Sequence, residues 1–120
     1  MIAALPSPLA FTAHERDTLL VLGYLHLEQR RAGEAAVLLR PLHRAYPDDG
    51  EVERCLAFAE LSAGHVERAA VLAAHAYPLA AAPERKAMGL IYAKALWLLG
   101  DEEGARAVLA KILAPDELPL

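Results

Sequence analysis

Apolar and polar positions alternate along this chain with helical spacing and divide it into six predicted helices. Within each one, apolar side chains return every three or four residues, which is typical of a helix with one side against a core. Residues that end helices, such as Gly64, Pro78 and Gly100, fall between the segments. The predicted helices cover about residues 13–29, 34–45, 51–63, 66–76, 83–99 and 102–113.

The first predicted helix differs from the others because its apolar residues cover more than one face. Leu19, Leu20, Leu22, Tyr24 and Leu27 spread around the helix axis. A helix that is apolar nearly all round has to be covered on two sides.

The six helices also form a repeat. Gly23, Ala57 and Ala93 fall at one position of successive first helices, and Ala35, Ala69 and Ala105 fall at one position of the second helices. The steps are 34 and then 36 residues, close to the period of about 34 residues of tetratricopeptide repeats. We therefore predict an all-α fold, a tetratricopeptide-like array of three antiparallel helical hairpins in a single domain over residues 1–120. After a lead-in over residues 1–12, the units cover about residues 16–49, 50–83 and 86–119.

Three residues carry local predictions about where helices begin or bend. Thr12 with Glu15 three residues later forms a capping box at the start of the first helix. Pro41 lies inside the second helix, where it removes a backbone hydrogen bond, so we expect a kink or a helix that restarts there. Arg30 stands where a glycine is usual in the turn of the first unit.

Composition and charge narrow the function classes. The net charge is −4 and no basic stripe with interleaved aromatic residues occurs, which argues against nucleic-acid binding. The single cysteine, Cys55, fits a reducing compartment and a buried, unreactive thiol. Residues 1–11 lack the basic start of a signal peptide, and the apolar run 69–82 is too short to cross a bilayer. We expect a cytoplasmic protein with no membrane insertion.

Catalytic patterns are missing from the sequence. There is no glycine-rich phosphate loop and no nucleophile elbow, and the five histidines do not pair in a metal-binding motif. Asp48 and Asp49 suit a turn better than a metal site, and His26 suits helix packing better than ligation. The sequence thus predicts a protein that is not an enzyme and has no catalytic residues, no cofactor and no metal.

First helices of successive tetratricopeptide units line an inner groove, and this groove is the candidate partner-binding site. Aromatic residues beside cations resemble the hot spots of protein interfaces. In the alternative, Tyr24 and Trp97 belong to the core of a short array. The predicted groove residues are Leu20, Tyr24, Leu27, Arg54, Phe58, Leu61, Leu90, Lys94, Trp97 and Leu98.

Several segments carry a resemblance to a known family: LVLGYLHLE at 20–28, EAAVLL at 34–39, Pro47, Glu53-Arg54 and GHVERA at 64–69. Over about residues 16–113 the chain resembles the small tetratricopeptide chaperones of bacterial type III secretion, the YscY (SctY) type. The resemblance implies a chaperone in the bacterial cytoplasm that binds and stabilises a small secreted partner of the YscX (SctX) type. It also implies that the pair docks on the cytoplasmic domain of the export gate.

Two other functions stay open. The same fold would serve a chaperone of needle or translocator subunits. The chain could also be a tetratricopeptide scaffold that associates with itself through exposed apolar faces, and we expect self-association of the protein alone.

Overall fold

Six α-helices follow one another in the computed structural model, which describes residues 11–113, and this part of the chain contains no strand. Their bounds differ from the predicted ones by no more than two residues. The predicted start of the lead-in, residues 1–10, and the predicted end of the third unit after residue 113 lie outside the described residues. The helices are α1 (Ala13–Glu28), α2 (Ala32–Ala45), α3 (Gly50–Ser62), α4 (Val66–Ala76), α5 (Ala82–Leu98) and α6 (Glu102–Ile112), with a 3₁₀ helix (Tyr77–Leu79) between α4 and α5.

The helices pack in sequence order as an array of three antiparallel hairpins. Each helix contacts the next one along the chain, so that α2 packs on α3 and α4 packs on α5. The first helices also contact one another, α1 with α3 and α3 with α5. The predicted fold class is confirmed. None of the helices in residues 11–113 is long and apolar enough to cross a membrane.

The small residues at the repeat positions let the helices approach closely. A Cβ atom added at Gly23 would lie 3.0 Å from a terminal carbon of Leu39, which is tighter than ordinary van der Waals contact. Bulkier residues at such sites would overpack the core. All six predicted positions are buried, namely Gly23, Ala35, Ala57, Ala69, Ala93 and Ala105.

The three hairpin turns share one backbone conformation. Arg30, Gly64 and Gly100 have positive φ angles of 60°, 88° and 90° at matching places. The next residue's N–H then donates to the carbonyl five residues earlier, the pattern of a Schellman helix end. These bonds join Arg31 to His26 at 2.7 Å, His65 to Glu60 at 2.8 Å and Asp101 to Leu96 at 2.9 Å. Arg30 therefore adopts the left-handed conformation that glycine supplies in the other two turns.

The structure bears on two local predictions, the capping box at Thr12 and the effect of Pro41 on the second helix. The capping box is confirmed, since the Glu15 N–H donates to the Thr12 hydroxyl at 3.1 Å and the Thr12 N–H donates to the Glu15 carboxylate at 2.9 Å. Of the two outcomes expected at Pro41, a kink or a restarted helix, the restart does not occur, because α2 runs without interruption across this residue. The hydrogen bonds of the flanking turns and the buried face of α2 compensate for the one bond that proline removes.

Two buried carboxylates on α3 tie it to its neighbours. Glu60 accepts hydrogen bonds from the Arg40 guanidinium of α2 at 2.7 and 3.0 Å, and the Nδ1 atom of His65 lies 2.8 Å away. Glu53 lies seven residues earlier on the same side of α3, and its carboxylate is 2.9 Å from the Nδ1 atom of His75 on α4. Both contacts place α3 at the centre of the array.

Candidate partner-binding groove

A hollow of about 530 Å³ lies where the three first helices meet. Helix α1 contributes one wall, α3 the floor and α5 the other wall. Residues three or four apart on a helix share a face, so each first helix presents a short row of side chains here. The lining residues are Tyr24, Leu27 and Glu28 of α1, Arg54, Cys55 and Phe58 of α3, and Ala87, Leu90 and Ile91 of α5.

The large apolar side chains of this groove remain accessible. Tyr24, Leu90 and Phe58 expose between 39% and 49% of their surface. Single exposed apolar residues are ordinary, but an aromatic pair and a leucine around one hollow form a patch that a partner could bury. The groove therefore presents an accessible apolar surface.

The charges of the groove are sparse and do not include a reactive group. Arg54 at the rim forms no ion pair with any residue in the described range, and Glu28 supplies a carboxylate on the opposite wall. Burial raises the pKa of the Cys55 thiol to about 11. A thiol with so high a pKa stays protonated near neutral pH and does not act as a nucleophile. Cys55 is thus part of the floor, as a small apolar residue.

The structure brings together about half of the predicted groove residues. Tyr24, Leu27, Arg54, Phe58 and Leu90 all line the hollow. All five belong to first helices of the hairpins. The others occupy different places on these helices.

Leu20 is a correction to the predicted site. It is buried in the core cluster with Leu39 and Leu56, so a partner cannot reach it without unfolding this unit. Its repeat counterparts Arg54 and Leu90 do line the groove.

The remaining predicted residues lie toward the ends of α3 and α5, outside the hollow. Leu61 packs partly buried against the second core cluster, and Lys94 is exposed without an ion pair to any described residue. Leu98 lines a separate hollow of about 400 Å³ beside the turn between α3 and α4. The predicted ten residues therefore do not form one continuous site.

Trp97 lies on the surface near the end of α5. It exposes half of its side chain, and the Arg106 guanidinium of α6 lies 5.9 Å from the centre of its ring. This cation–π contact holds the ring in place without burying it. The alternative in which Tyr24 and Trp97 are core residues is wrong.

Two residues that line the groove, one on α3 and one on α5, were not among the predicted ones. Cys55 and Ile91 follow directly on the predicted Arg54 and Leu90, and each is one helical turn from another lining residue. The rows Cys55–Phe58 and Ala87–Ile91, at spacings of three and four, were the signal that could have identified them.

The acidic, histidine and cysteine side chains of the described residues are the candidates for a metal site. Within residues 11–113, no group of three His, Cys, Asp or Glu side chains is placed to hold a metal ion. Asp49 is the N-cap of α3, accepting from the N–H groups of Glu51 and Val52, and it pairs with Arg16 at 2.7 Å. These contacts explain Asp49 as a turn residue.

Comparison with known proteins leaves the family open. No protein-family model matches the chain, and no curated protein matches it.

Proposed function

We propose that this chain binds a segment of another protein in the groove between α1, α3 and α5 and performs no catalysis of its own. The observation that carries the proposal is the accessible apolar hollow with Tyr24, Phe58 and Leu90 around it. An apolar helix face laid into such a groove would be recognised at spacings of three and four residues.

The resemblance of the sequence supports a more specific role. We propose a chaperone of bacterial type III secretion, of the YscY (SctY) type, that works in the cytoplasm. Its partner would be a small secreted protein of the YscX (SctX) type, and the complex would dock on the export gate. The order of three hairpins agrees with that role, as it does with a chaperone of needle or translocator subunits.

The groove alone gives modest affinity. Completing the burial of four half-exposed or partly exposed apolar side chains, Tyr24, Leu27, Phe58 and Leu90, would contribute about 3–6 kcal/mol. Association costs on the order of 4–15 kcal/mol in lost freedom of motion. A tightly held partner must therefore contact further surface of the chain.

Substitution of Phe58 tests the groove. We expect Phe58→Glu to weaken binding of the YscX-type protein from the same genome at least tenfold in calorimetric titration, because a carboxylate would lose hydration in the hollow. Val71→Glu on α4 is the control, since Val71 is exposed and lies outside the groove.

Circular dichroism checks that both variants keep their helices, and Phe58→Ser serves where the glutamate variant does not fold. Unchanged binding by folded Phe58 variants would show that the groove is not the site. If the wild-type protein does not bind this partner but forms oligomers by itself, that result would favour the function of a self-associating scaffold.

A further inference from the structure

Three apolar positions of α1 are exposed although their repeat counterparts on α3 are buried. Val21, Leu22 and Leu25 expose 56%, 40% and 46% of their surface. The residues 34 positions later on α3 are Cys55, Leu56 and Ala59, which expose 3% or less and belong to the core cluster that contains Ala36 and Leu39 of α2. Of the counterparts on α5, Ile91 and Ala95 are buried as well, and Tyr92 is partly buried.

This difference has a simple origin in the array. The second helix of each hairpin packs on the first helix of the next one, α2 on α3 and α4 on α5. No described helix precedes α1, so the face that α3 and α5 bury against a second helix is open on α1. We call Val21, Leu22 and Leu25 the open face.

A buried polar atom lies beside the open face. His26 follows one helical turn after Leu22, and its Nδ1 atom is buried without a hydrogen-bond partner among residues 11–113. The repeat counterpart of His26 on α3 is Glu60, which Arg40 of the preceding helix reaches at 2.7 Å. At the matching place in the first unit, no residue of the described range supplies such a side chain.

His26 also lines a hollow large enough for side chains of another helix. The hollow measures about 730 Å³ and is bordered by the turn after α1 and by the first half of α2, including Gly33 and Val37. A buried nitrogen without a partner costs on the order of 1–3 kcal/mol, so a group that hydrogen-bonds to it would be stabilised there.

A second copy of the chain is a poor occupant of the open face. If α6 of one copy stacked on α1 of another, it would take the position that α2 has on α3. Arg106 of α6 would then lie where α2 has its repeat counterpart Ala36, which is fully buried, so a charged side chain would be buried there. Pairing two open faces would bury on the order of 200–300 Å² per copy, well below the ~800 Å² per partner of a stable interface.

We infer that the open face and His26 form a docking place for one amphipathic helix of the partner protein, which takes the position that α2 has on α3. That helix presents alanine or leucine at the spacing of Ala36 and Leu39, and it carries a side chain such as Asp, Glu or Ser that hydrogen-bonds to His26. The inference rests on the proposed partner-binding function. Tyr24 lies next to Leu25 and also lines the groove, so a single partner can cover both surfaces.

A peptide copy of α2 tests whether the open face accepts such a helix. The probe is residues 32–49 of this chain, held helical by a lactam between positions 33 and 37, which are exposed in α2. Isolated helices of this length are marginal in water, which is why the bridge is needed. Full-length protein is titrated with the labelled peptide and followed by fluorescence anisotropy and by the methyl NMR signals of the open face.

We expect saturable binding with shifts at Val21, Leu22 and Leu25. The double substitution Val21→Glu and Leu25→Glu in the protein should weaken peptide binding at least tenfold. The double substitution Ala36→Glu and Leu39→Glu in the peptide should weaken it by a similar factor. Val21→Ser with Leu25→Gln replaces the first pair if the glutamates prevent folding. Val71→Glu with Leu79→Glu, at exposed positions of α4 and the 3₁₀ helix, is the matched control and leaves binding unchanged.

Other outcomes overturn the inference. Absence of saturable binding, or shifts confined to Phe58 and Leu90, would show that the open face takes no helix. A wild-type dimer that Val21→Glu with Leu25→Glu dissociates would make a second copy the occupant. Phe58→Glu is expected to leave peptide binding intact, so the docking place and the groove can fail independently.

Discussion

At the scale of single residues, the buried carboxylate of Glu60 shows what pairing does to an acid inside this fold. Burial raises the pKa of Glu60, but hydrogen bonds from Arg40 and His65 outweigh it and hold the pKa below its usual value. The ionised form is therefore favoured in the folded protein. The sequence could not predict this contact, because Arg40 and Glu60 lie 20 residues apart and only the packing of α2 on α3 joins them.

The lowered pKa makes a prediction about stability and pH. A carboxyl whose pKa is lower in the folded state contributes stability above its unfolded pKa of about 4.3, and this stability is lost as pH falls through the folded pKa. We expect Glu60→Gln to lower the free energy of unfolding by about 2 kcal/mol at pH 7, less than for a fully buried pair because Arg40 is partly exposed.

Urea unfolding between pH 3 and pH 8 measures the effect. The difference between wild type and Glu60→Gln should shrink toward the acid end, where wild-type Glu60 is also protonated. Glu67→Gln, at an exposed position of α4, is the control and should change little. A difference that stays constant over this range would mean that the charge of Glu60 does not contribute.

At the scale of helices and turns, the sequence predicted most of what the structure contains. Caps and breakers act within a few residues, so Thr12, Gly64 and Gly100 located their helix ends correctly. At Pro41 the sequence allowed a kink or a restarted helix, and α2 continues because packing against the rest of the unit outweighs the local cost of proline. The sequence showed that Arg30 stands where glycine is usual, but it did not predict that this residue has a φ of 60°.

The turn at Arg30 can be tested against the turn at Gly64. A non-glycine residue in the left-handed region costs on the order of 1 kcal/mol, so we expect Arg30→Gly to raise the free energy of unfolding by about 0.5–1 kcal/mol. Gly64→Ala should lower it by about 1 kcal/mol for the same reason. Gly33→Ala, at an exposed helical glycine with open space around it, is the control for side-chain addition and should stabilise slightly.

Chemical denaturation of the three variants measures these changes. Destabilisation by Arg30→Gly would indicate that the arginine side chain contributes more than its strained backbone costs.

At the scale of the whole molecule, the repeat predicted the order of packing but not which positions are covered. Leu20 and Leu90 hold the same place in the repeat, yet one is in the core and the other lines the groove. A repeat pattern assigns equal roles to equal positions, whereas no helix in residues 11–113 precedes α1 in the way that α2 precedes α3. The open face of α1 has the same cause. We predicted that α1 is covered on two sides, and residues 11–113 leave the side with the open face uncovered.

Because the helices are packed to different extents, we expect their backbone amides to be protected from hydrogen exchange to different extents. In stacked repeats each unit is stabilised by its neighbours, and helices with fewer packed faces open at lower free energy. We expect the backbone amides of residues 20–25 in α1 to exchange with deuterium at least tenfold faster than those of residues 56–61 in α3, which contacts four other helices.

Helix α6 separates this explanation from simple fraying at a chain end. It also lies at an end of the described array, but its exposed side carries Glu103, Arg106 and Lys111 and needs no cover. Saturation with the α2 peptide should therefore slow exchange in α1 and leave α6 unchanged, because only the open face gains a neighbour. Amides of α1 that are already as protected as those of α3 in the protein alone would mean that something else covers this face, and that the array is closed at both ends.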